Sequence, residues 1–221
     1  MTASARRAFA AFLFDMDGTV LDSIAAANRI WRRWAGSHGI DVDGLLATMH
    51  GMRVGDTVRR WAPPGVDVER ESAAITRAEI DDVEGIVAIP GARRLLEALP
   101  ADRWAVVTSA PRELALRRMA AAGIPVPAVL VTAEDVVHGK PAPDGFLLAA
   151  RRLGVDARDC AIWEDAPAGI AAAEAAGGTV FVMGATHTHP MTLPHPVVAS
   201  YDGLAVTIAA SGALVLAGVP G

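Results

Sequence analysis

A short apolar run that ends in two aspartates constrains this sequence more than any other feature. The run covers residues 9–14 and stops at Asp15, and Asp17 follows two residues later. A run this short and this apolar is typical of a buried strand, and Gly18 then allows the backbone to turn back sharply. Open α/β sheets form their active sites at the carboxyl ends of such strands. The stretch therefore predicts an α/β fold with both aspartates in its functional site.

Two carboxylates this close need a partner of opposite charge. Strand alternation is expected to point Asp15 and Asp17 to the same side, where like charges require a cation or a shared proton. A hard divalent ion with oxygen ligands, with Mg²⁺ as the expected one, meets that need. A calcium-binding loop is excluded because its twelfth position, counted from Asp15, is Ala26 and not a carboxylate. A buried strand followed by a simple polar turn remains the alternative.

The second half of the chain alternates apolar strands with helices. Strands are predicted at residues 104–107, 129–131, 160–163 and 179–183. The alternation predicts a doubly wound parallel sheet. Only helical patterns occur between residues 23 and 86, which indicates an inserted helical cap. The predicted domains are a core of residues 1–21 and 88–221 and a cap of residues 22–87.

Charge and composition exclude several classes of partner. The 221 residues carry a net charge of −5, and basic pairs such as Arg117-Arg118 are scattered as on solvated helix faces, which argues against nucleic acid. No stretch reaches the ~20 apolar residues of a membrane-spanning helix, and the apolar run before Asp15 is too short for a secretion signal. Cys160 is the one cysteine, so no internal disulfide is possible. We expect a cytoplasmic monomer or weak homodimer.

One lysine stands out among the cations. Nineteen of the twenty basic residues are arginine, and the other is Lys140, in a loop predicted between a strand and a helix. An ammonium is a compact point charge and a guanidinium is a planar fork, so the two are not interchangeable at a tight site. The pattern favours a functional role for Lys140, and a lysine on a surface loop is the alternative.

Polar side chains follow the other predicted core strands as well. Thr108 and Ser109 follow one strand, Lys140 follows the next, and Glu164 and Asp165 follow the one after that. The carboxyl ends of parallel strands share one edge of a sheet, so these groups are expected to converge with the two aspartates. Each pair could instead cap the helix after it. Their recurrence at successive strand ends favours a phosphate site.

The types of residue predict phosphoryl transfer. Asp15 is the candidate nucleophile, which would form an aspartyl-phosphate, and Asp17 is the candidate general acid and later the base that activates water. Thr108 and Ser109 would bind phosphate oxygens, and Lys140 would neutralise the shared negative charge. The acidic pair after the later strand would complete the oxygen shell of the metal.

Taken together, these segments resemble a known family. The segments that carry the resemblance are Asp15-Met16-Asp17-Gly18-Thr19, Thr108-Ser109, Lys140-Pro141 and Glu164-Asp165. They resemble the four motifs of the haloacid dehalogenase superfamily of phosphatases, and the likeness extends to about Met183. The helical insertion resembles the cap of the β-phosphoglucomutase-like branch. Within that branch the chain is similar to sugar-phosphate and polyol-phosphate phosphatases, which include the 2-deoxyglucose-6-phosphatase and glycerol-phosphatase group.

The resemblance implies an Mg²⁺-dependent phosphomonoesterase with a Rossmann-like core and a mobile cap. Its substrate would be a small phosphorylated sugar or polyol. The metal would take the side chain of Asp15, the backbone carbonyl of Asp17 and the carboxylate of Asp165, with Glu164 near or in the shell. Two alternatives stay open, namely a β-phosphoglucomutase-type isomerase and a non-catalytic phosphate-binding protein.

Two further segments carry candidate residues. In the cap, the stretch that holds His50, Gly51 and Arg53 is expected to face the site on closure, with Arg53 on the phosphate or a sugar oxygen and His50 on a hydroxyl. A histidine at a helix end with no chemical role is the alternative for His50. Near the carboxyl terminus, His187 and two further histidines, at positions 189 and 195, suggest a metal site. The prolines between them favour a solvated loop instead.

Overall fold

The structure is a computed structural model that describes residues 7–187 and 193–219. Its strands are β1 (Arg7–Phe9), β2 (Ala11–Phe14), β3 (Leu21–Asp22), β4 (Val87–Ala88), β5 (Trp104–Val107), β6 (Val129–Val131), β7 (Cys160–Glu164), β8 (Thr179–Met183), β9 (Val197–Val198), β10 (Ala205–Ile208) and β11 (Leu214–Ala217). Its α-helices are α1 (Ile24–His38), α2 (Val42–Met49), α3 (Val54–Trp61), α4 (Val68–Asp81), α5 (Ala92–Ala98), α6 (Arg112–Ala122), α7 (Asp144–Leu153) and α8 (Pro167–Ala176).

Six strands form a parallel sheet in the order β6-β5-β2-β7-β8-β9, which confirms the predicted doubly wound fold. β2 lies inside this sheet and is buried along its whole length. Its side chains alternate between two apolar layers, with Phe12 and Phe14 in one and Ala11 and Leu13 in the other. Because both faces are covered, a continuous apolar run is what the position requires.

The register brings the functional strand ends to one edge. Phe14, the last residue of β2, pairs with Val106 of β5 on one side and with Trp163 of β7 on the other. The backbone N–H of Asp15 then donates to the carbonyl of Trp163 at 2.9 Å. The residues that follow these three strands therefore emerge side by side.

The apolar run at residues 9–14 is not the single strand that the pattern suggests. Phe9 ends β1, which pairs with β11 in a separate antiparallel sheet of order β1-β11-β10, whereas Ala11 begins β2. The chain changes sheets at Ala10, whose N–H donates to the carbonyl of Asp159. Phe9 of β1 and Phe12 and Phe14 of β2 pack in the same apolar core, so the apolar run does not mark the break between the strands.

Four helices, α1 to α4, lie between β3 and β4 and form the cap. They enclose an apolar cluster of their own, which includes Trp31, Trp34, Leu45 and Val58. β3 and β4 pair antiparallel at the base of the cap, and α4 of the cap packs on α6 of the core. In the described part of the chain, no helix has both the length and the apolar character needed to cross a bilayer.

Candidate active site

A buried cluster of three carboxylates lies at the edge where β2 and β7 end. One oxygen each from Asp15, Glu164 and Asp165 lies within 4.8 Å of the others. The ammonium of Lys140 donates to Oδ1 of Asp15 and, at 2.5 Å, to Oε1 of Glu164. All four side chains are buried, so the predicted convergence of these strand ends is present in the structure.

The charges of the cluster do not balance. The pKa of Asp15 is raised to about 7, chiefly by burial; repulsion from Glu164 and Asp17 adds to the rise, and Lys140 opposes it. Burial, followed by repulsion from Glu164 and Asp15, also raises the pKa of Asp165 well above its usual range. Buried carboxylates whose charged forms are disfavoured for want of positive charge suit a hard divalent cation. The residues present thus fit a metal ion.

Two glycines allow the backbone to approach these carboxylates. Gly18 has a φ of 81°, and a Cβ there would lie 2.0 Å from Oδ2 of Asp165. Gly169, in the first turn of α8, leaves room for Glu164, whose Oε1 would lie 1.7 Å from an added Cβ. Oε2 of Glu164 accepts the backbone N–H groups of Asp165 and Ala166 at 2.8 and 3.0 Å. Glu164 is therefore held in a fixed orientation by α8 and its leading turn.

Asp17 occupies a different environment from Asp15. Its Oδ1 accepts hydrogen bonds from Oγ of Ser23 at 2.6 Å and from Nη1 of Arg118 at 2.9 Å, and its side chain is not part of the three-carboxylate cluster. Arg118 is only 5% exposed, which corrects the interpretation of its arginine pair as part of a solvated helix face. Nη2 of Arg118 also pairs with the buried Glu79 of the cap at 3.2 Å.

Four residues of this site were missed by the sequence analysis, namely Thr19, Ser23, Glu79 and Arg118. Oγ1 of Thr19 donates to Oδ1 of Asp165 at 3.2 Å. A signal existed for Thr19 and Ser23, because both lie just after the aspartate motif. None existed for Glu79 or Arg118, whose partners are far away in the sequence.

The predicted phosphate-binding pair lies beside the cluster. Thr108 is buried, and its Oγ1 accepts the N–H of Ala110 at 3.1 Å, as a cap of the following turn would. Oγ of Ser109 donates to the backbone carbonyl of Gly51 at 2.8 Å. The pair thus lines the junction between core and cap.

The cap stretch meets the core at two distinct places. Gly51 has a φ of 77°, and an added Cβ would lie 2.8 Å from Cβ of Ala166 beside the acidic pair. His50 lies next to it, and burial lowers the pKa of its imidazole and so favours the neutral form. The guanidinium of Arg53 points elsewhere and donates to three backbone carbonyls of the loop that leads to Lys140. These carbonyls belong to Ala133 (3.1 Å), Val136 (2.8 Å) and Val137 (2.9 Å).

A small cavity lies between cap and core. Its lining includes Asp15, Asp17, Trp31, His50, Glu79, Thr108, Ser109 and Arg118. It has a volume of about 70 Å³. At ~10–15 Å³ for each water-sized sphere, that is room for about five to seven waters, so the cavity suits a small polar molecule.

The carboxyl-terminal histidines do not form one cluster in the described residues. Nε2 of His187 lies 2.9 Å from the backbone carbonyl of Asp165, and Nε2 of His195 lies 2.6 Å from Glu174. The remaining histidine of that loop, at position 189, is outside the described residues. The first of these contacts brings His187 to the edge of the active site, which a freely solvated loop would not do.

Comparison with known proteins agrees with this geometry. A family model described as haloacid dehalogenase-like hydrolase matches residues 9–177. Hexitol phosphatase A of Escherichia coli is 40% identical over 81% of this chain and 85% of that enzyme. Glycerol-1-phosphate phosphohydrolase 2 of Saccharomyces cerevisiae is 35% identical over 76% of this chain and 71% of that enzyme.

A solved structure shares the fold. The β-phosphoglucomutase of Clostridium difficile matches with a TM-score of 0.72 over 80% of this chain and 85% of that chain, at 22% identity. Members of the family generally use a divalent metal ion, and the three buried carboxylates described above could bind one. From its sequence, its fold and the motifs at its strand ends, the chain belongs to the haloacid dehalogenase-like hydrolases.

Proposed function

We propose that this protein is an Mg²⁺-dependent phosphatase that hydrolyses phosphate monoesters of small sugars or polyols through an aspartyl-phosphate. The observation that carries the proposal is the buried cluster of Asp15, Glu164, Asp165 and Lys140 beside a small polar cavity under the cap. The substrate class is supported by two relatives that are named for hexitol phosphate and glycerol-1-phosphate hydrolysis.

The reaction would proceed in two steps. A carboxylate oxygen of Asp15 attacks the phosphorus, while Asp17 gives a proton to the leaving alkoxide so that the alcohol departs neutral. Asp17 then takes a proton from water, which attacks the aspartyl-phosphate, releases inorganic phosphate and restores both carboxyl groups. The separate environments of the two aspartates support this division of work, since Asp15 contacts Lys140 and Asp17 contacts Arg118.

The remaining groups would hold the phosphate and the metal. Lys140 would neutralise charge on Asp15 and the transferring phosphoryl group, and Thr108 and Ser109 would bind its oxygens. The metal would be held by the three carboxylates of the cluster and the backbone carbonyl of Asp17. When bound, Mg²⁺ would supply positive charge that offsets the repulsion between a phosphate dianion and these carboxylates.

A panel of phosphorylated sugars, hexitols and glycerol phosphates, assayed with Mg²⁺ and with excess chelator, tests the proposal. We expect release of inorganic phosphate from several polyol or sugar phosphates, and loss of at least about 10²-fold of that rate after chelation. Conversion of β-glucose 1-phosphate to glucose 6-phosphate without phosphate release would favour a mutase instead. Binding of phosphate esters without turnover would favour a non-catalytic protein.

Arg53 is proposed to hold the closed cap against the loop that carries Lys140. Truncation of the side chain to alanine removes its three hydrogen bonds to backbone carbonyls. We therefore expect Arg53→Ala to lower kcat/KM for polyol phosphates by about 10-fold and to leave the fold intact. The measurement is steady-state kinetics with circular dichroism. The exposed Arg59, which pairs with Asp56 of its own helix α3, offers Arg59→Ala as the control. Unchanged kinetics of Arg53→Ala would remove this residue from cap closure.

Three further proposals concern the domain bounds, the location and the oligomeric state. We propose residues 22–87 as the cap and residues 1–21 and 88–221 as the core, which is supported by the β3–β4 pair that straddles both boundaries. A cytoplasmic location and a monomeric or weakly dimeric state are proposed from the sequence alone.

A further inference from the structure

A continuous polar chain crosses from the cap to the proposed acid/base. Glu79 of α4 accepts from Nη2 of Arg118 at 3.2 Å, and Nη1 of the same guanidinium donates to Oδ1 of Asp17 at 2.9 Å. Arg118 belongs to α6 of the core. One arginine of the core therefore joins a carboxylate of the cap to the aspartate that would transfer protons.

The chain is built into the protein interior. The side chains of Arg118 and Glu79 are 7% and 5% exposed, so their mutual attraction is screened little by solvent. Oε1 of Glu79 also accepts from Nε1 of the buried Trp31 at 3.2 Å, which fixes the carboxylate within the cap. Burial raises the pKa of Glu79, and the guanidinium of Arg118 opposes that effect. A buried pair of this kind forms only when α4 lies against α6.

The contacts leave one oxygen of Asp17 available. Oδ1 accepts from both Arg118 and Ser23, and Oδ2 has no hydrogen bond within the described residues. With Oδ1 fixed by two donors, Oδ2 is the oxygen that can meet the leaving group or the attacking water. A carboxyl group must be within hydrogen-bond reach of the atom that it protonates, so its orientation affects the rate of proton transfer.

We propose that Arg118 is a positioning residue that orients Asp17 for proton transfer when Glu79 arrives with the closing cap. This inference rests on the proposed phosphatase function and adds residues to that site. Asp17 remains the group that transfers protons. Arg118 acts through it, and Glu79 makes the alignment depend on cap closure.

The test is the dependence of rate on the leaving group. Protonation matters most for a poor leaving group, such as an alkoxide, and least for p-nitrophenolate. The value of kcat/KM reports the steps up to phosphoryl transfer to Asp15, which p-nitrophenyl phosphate reaches with little help from an acid. The panel is a polyol phosphate, a simple alkyl phosphate without hydroxyls, phenyl phosphate and p-nitrophenyl phosphate, each with Mg²⁺.

We expect Arg118→Ala to lower kcat/KM for the polyol and alkyl phosphates by about 10²-fold and for p-nitrophenyl phosphate by less than about 5-fold. Glu79→Gln keeps the shape of the side chain and an oxygen that can accept from Trp31. It should also lower kcat/KM more for the polyol and alkyl phosphates than for p-nitrophenyl phosphate, with smaller losses than Arg118→Ala. Arg118→Lys should recover part of the alkyl phosphate rate, since one ammonium can still contact Asp17. If Arg118→Ala does not fold, Glu79→Gln decides alone.

The chain offers a matched control between the same two helices. Arg77 of α4 pairs with Glu113 of α6 at 3.2 Å, but both side chains are more than 60% exposed and neither lines the cavity. Arg77→Ala should leave the leaving-group dependence unchanged. If kcat/KM of Arg77→Ala also depended more steeply on the leaving group than that of the wild type, any loosening of α4 from α6 would have this effect. That result would overturn the inference.

Other outcomes overturn it in different ways. Equal losses on all four esters would indicate a structural role, and losses confined to the polyol phosphate would indicate that Arg118 and Glu79 bind substrate hydroxyls. If the wild-type protein hydrolyses none of the esters, the proposed function fails and the inference fails with it. An active wild type with either of the first two patterns overturns the inference alone.

Discussion

Asp15→Asn is expected to lower the rate of polyol phosphate hydrolysis by at least about 10⁴-fold, because an amide oxygen is a far weaker nucleophile than a carboxylate. The fold should survive, since asparagine has nearly the same shape and Lys140 keeps its contact with Glu164 at 2.5 Å. Initial rates with saturating Mg²⁺ measure the loss. Acid quenching followed by mass spectrometry of the wild type should find phosphate on the peptide that contains Asp15.

A surface aspartate provides the control for this substitution. The side chain of Asp43 is 92% exposed, and Asp43→Asn should leave the rate unchanged. If Asp15→Asn retained more than about one-hundredth of the wild-type rate with the same metal dependence, Asp15 would not be the nucleophile. The observed hydrolysis would then not arise at this site, and a non-catalytic phosphate-binding site would become the better account of the cluster.

The central part of this site could be predicted from the sequence for a simple physical reason. Lys140 is far from Asp15 along the chain, yet a parallel sheet brings all its carboxyl strand ends to one edge. The strand ends were visible as apolar runs that stop at polar residues. The pairing of the strands also aligns their ends, since Phe14 pairs with both Val106 and Trp163. Convergence follows from these facts without knowledge of any side-chain position.

The contribution of the cap could not be derived in the same way. Arg118 and Glu79 meet because α4 lies on α6, and the apolar periodicity of a helix does not say which polar residue is covered by another domain. Arg117 precedes Arg118 and is exposed, so the local pattern was that of a solvated face. The pairing of β1 with β11 was missed for a related reason, because it joins the two ends of the chain and leaves no local signal.

Lys140→Met is the second substitution with a large expected effect, and it tests whether the ammonium balances the buried acids. Methionine keeps much of the length and volume of the lysine side chain, whose ammonium nitrogen lies 5.4 Å from the centre of the Phe146 ring. The change therefore removes the charge without a large cavity. Burial opposes the charged form of Lys140, but Asp15 and Glu164 outweigh burial and raise its pKa, which indicates strong coupling between the three groups.

Without Lys140, Asp15 and Glu164 would stay buried with no cation in contact among the described residues. Loss of one partner from a buried ion pair costs about 3–5 kcal/mol, so Lys140→Met should lower the free energy of unfolding by that amount in chelator. Mg²⁺ should restore part of the stability because it binds only the folded cluster. Phosphatase activity should still fall by at least about 10²-fold, since the metal cannot also take the position of the ammonium. Urea titrations with and without Mg²⁺, together with initial rates, measure both effects.

Lys140→Arg is the matched variant, and it should keep more stability than Lys140→Met but little activity, because a planar fork does not fit where a point charge contacts two carboxylates. Equal stability of Lys140→Met and wild type in chelator would mean that the acids are protonated in the folded protein and that the lysine does not balance them.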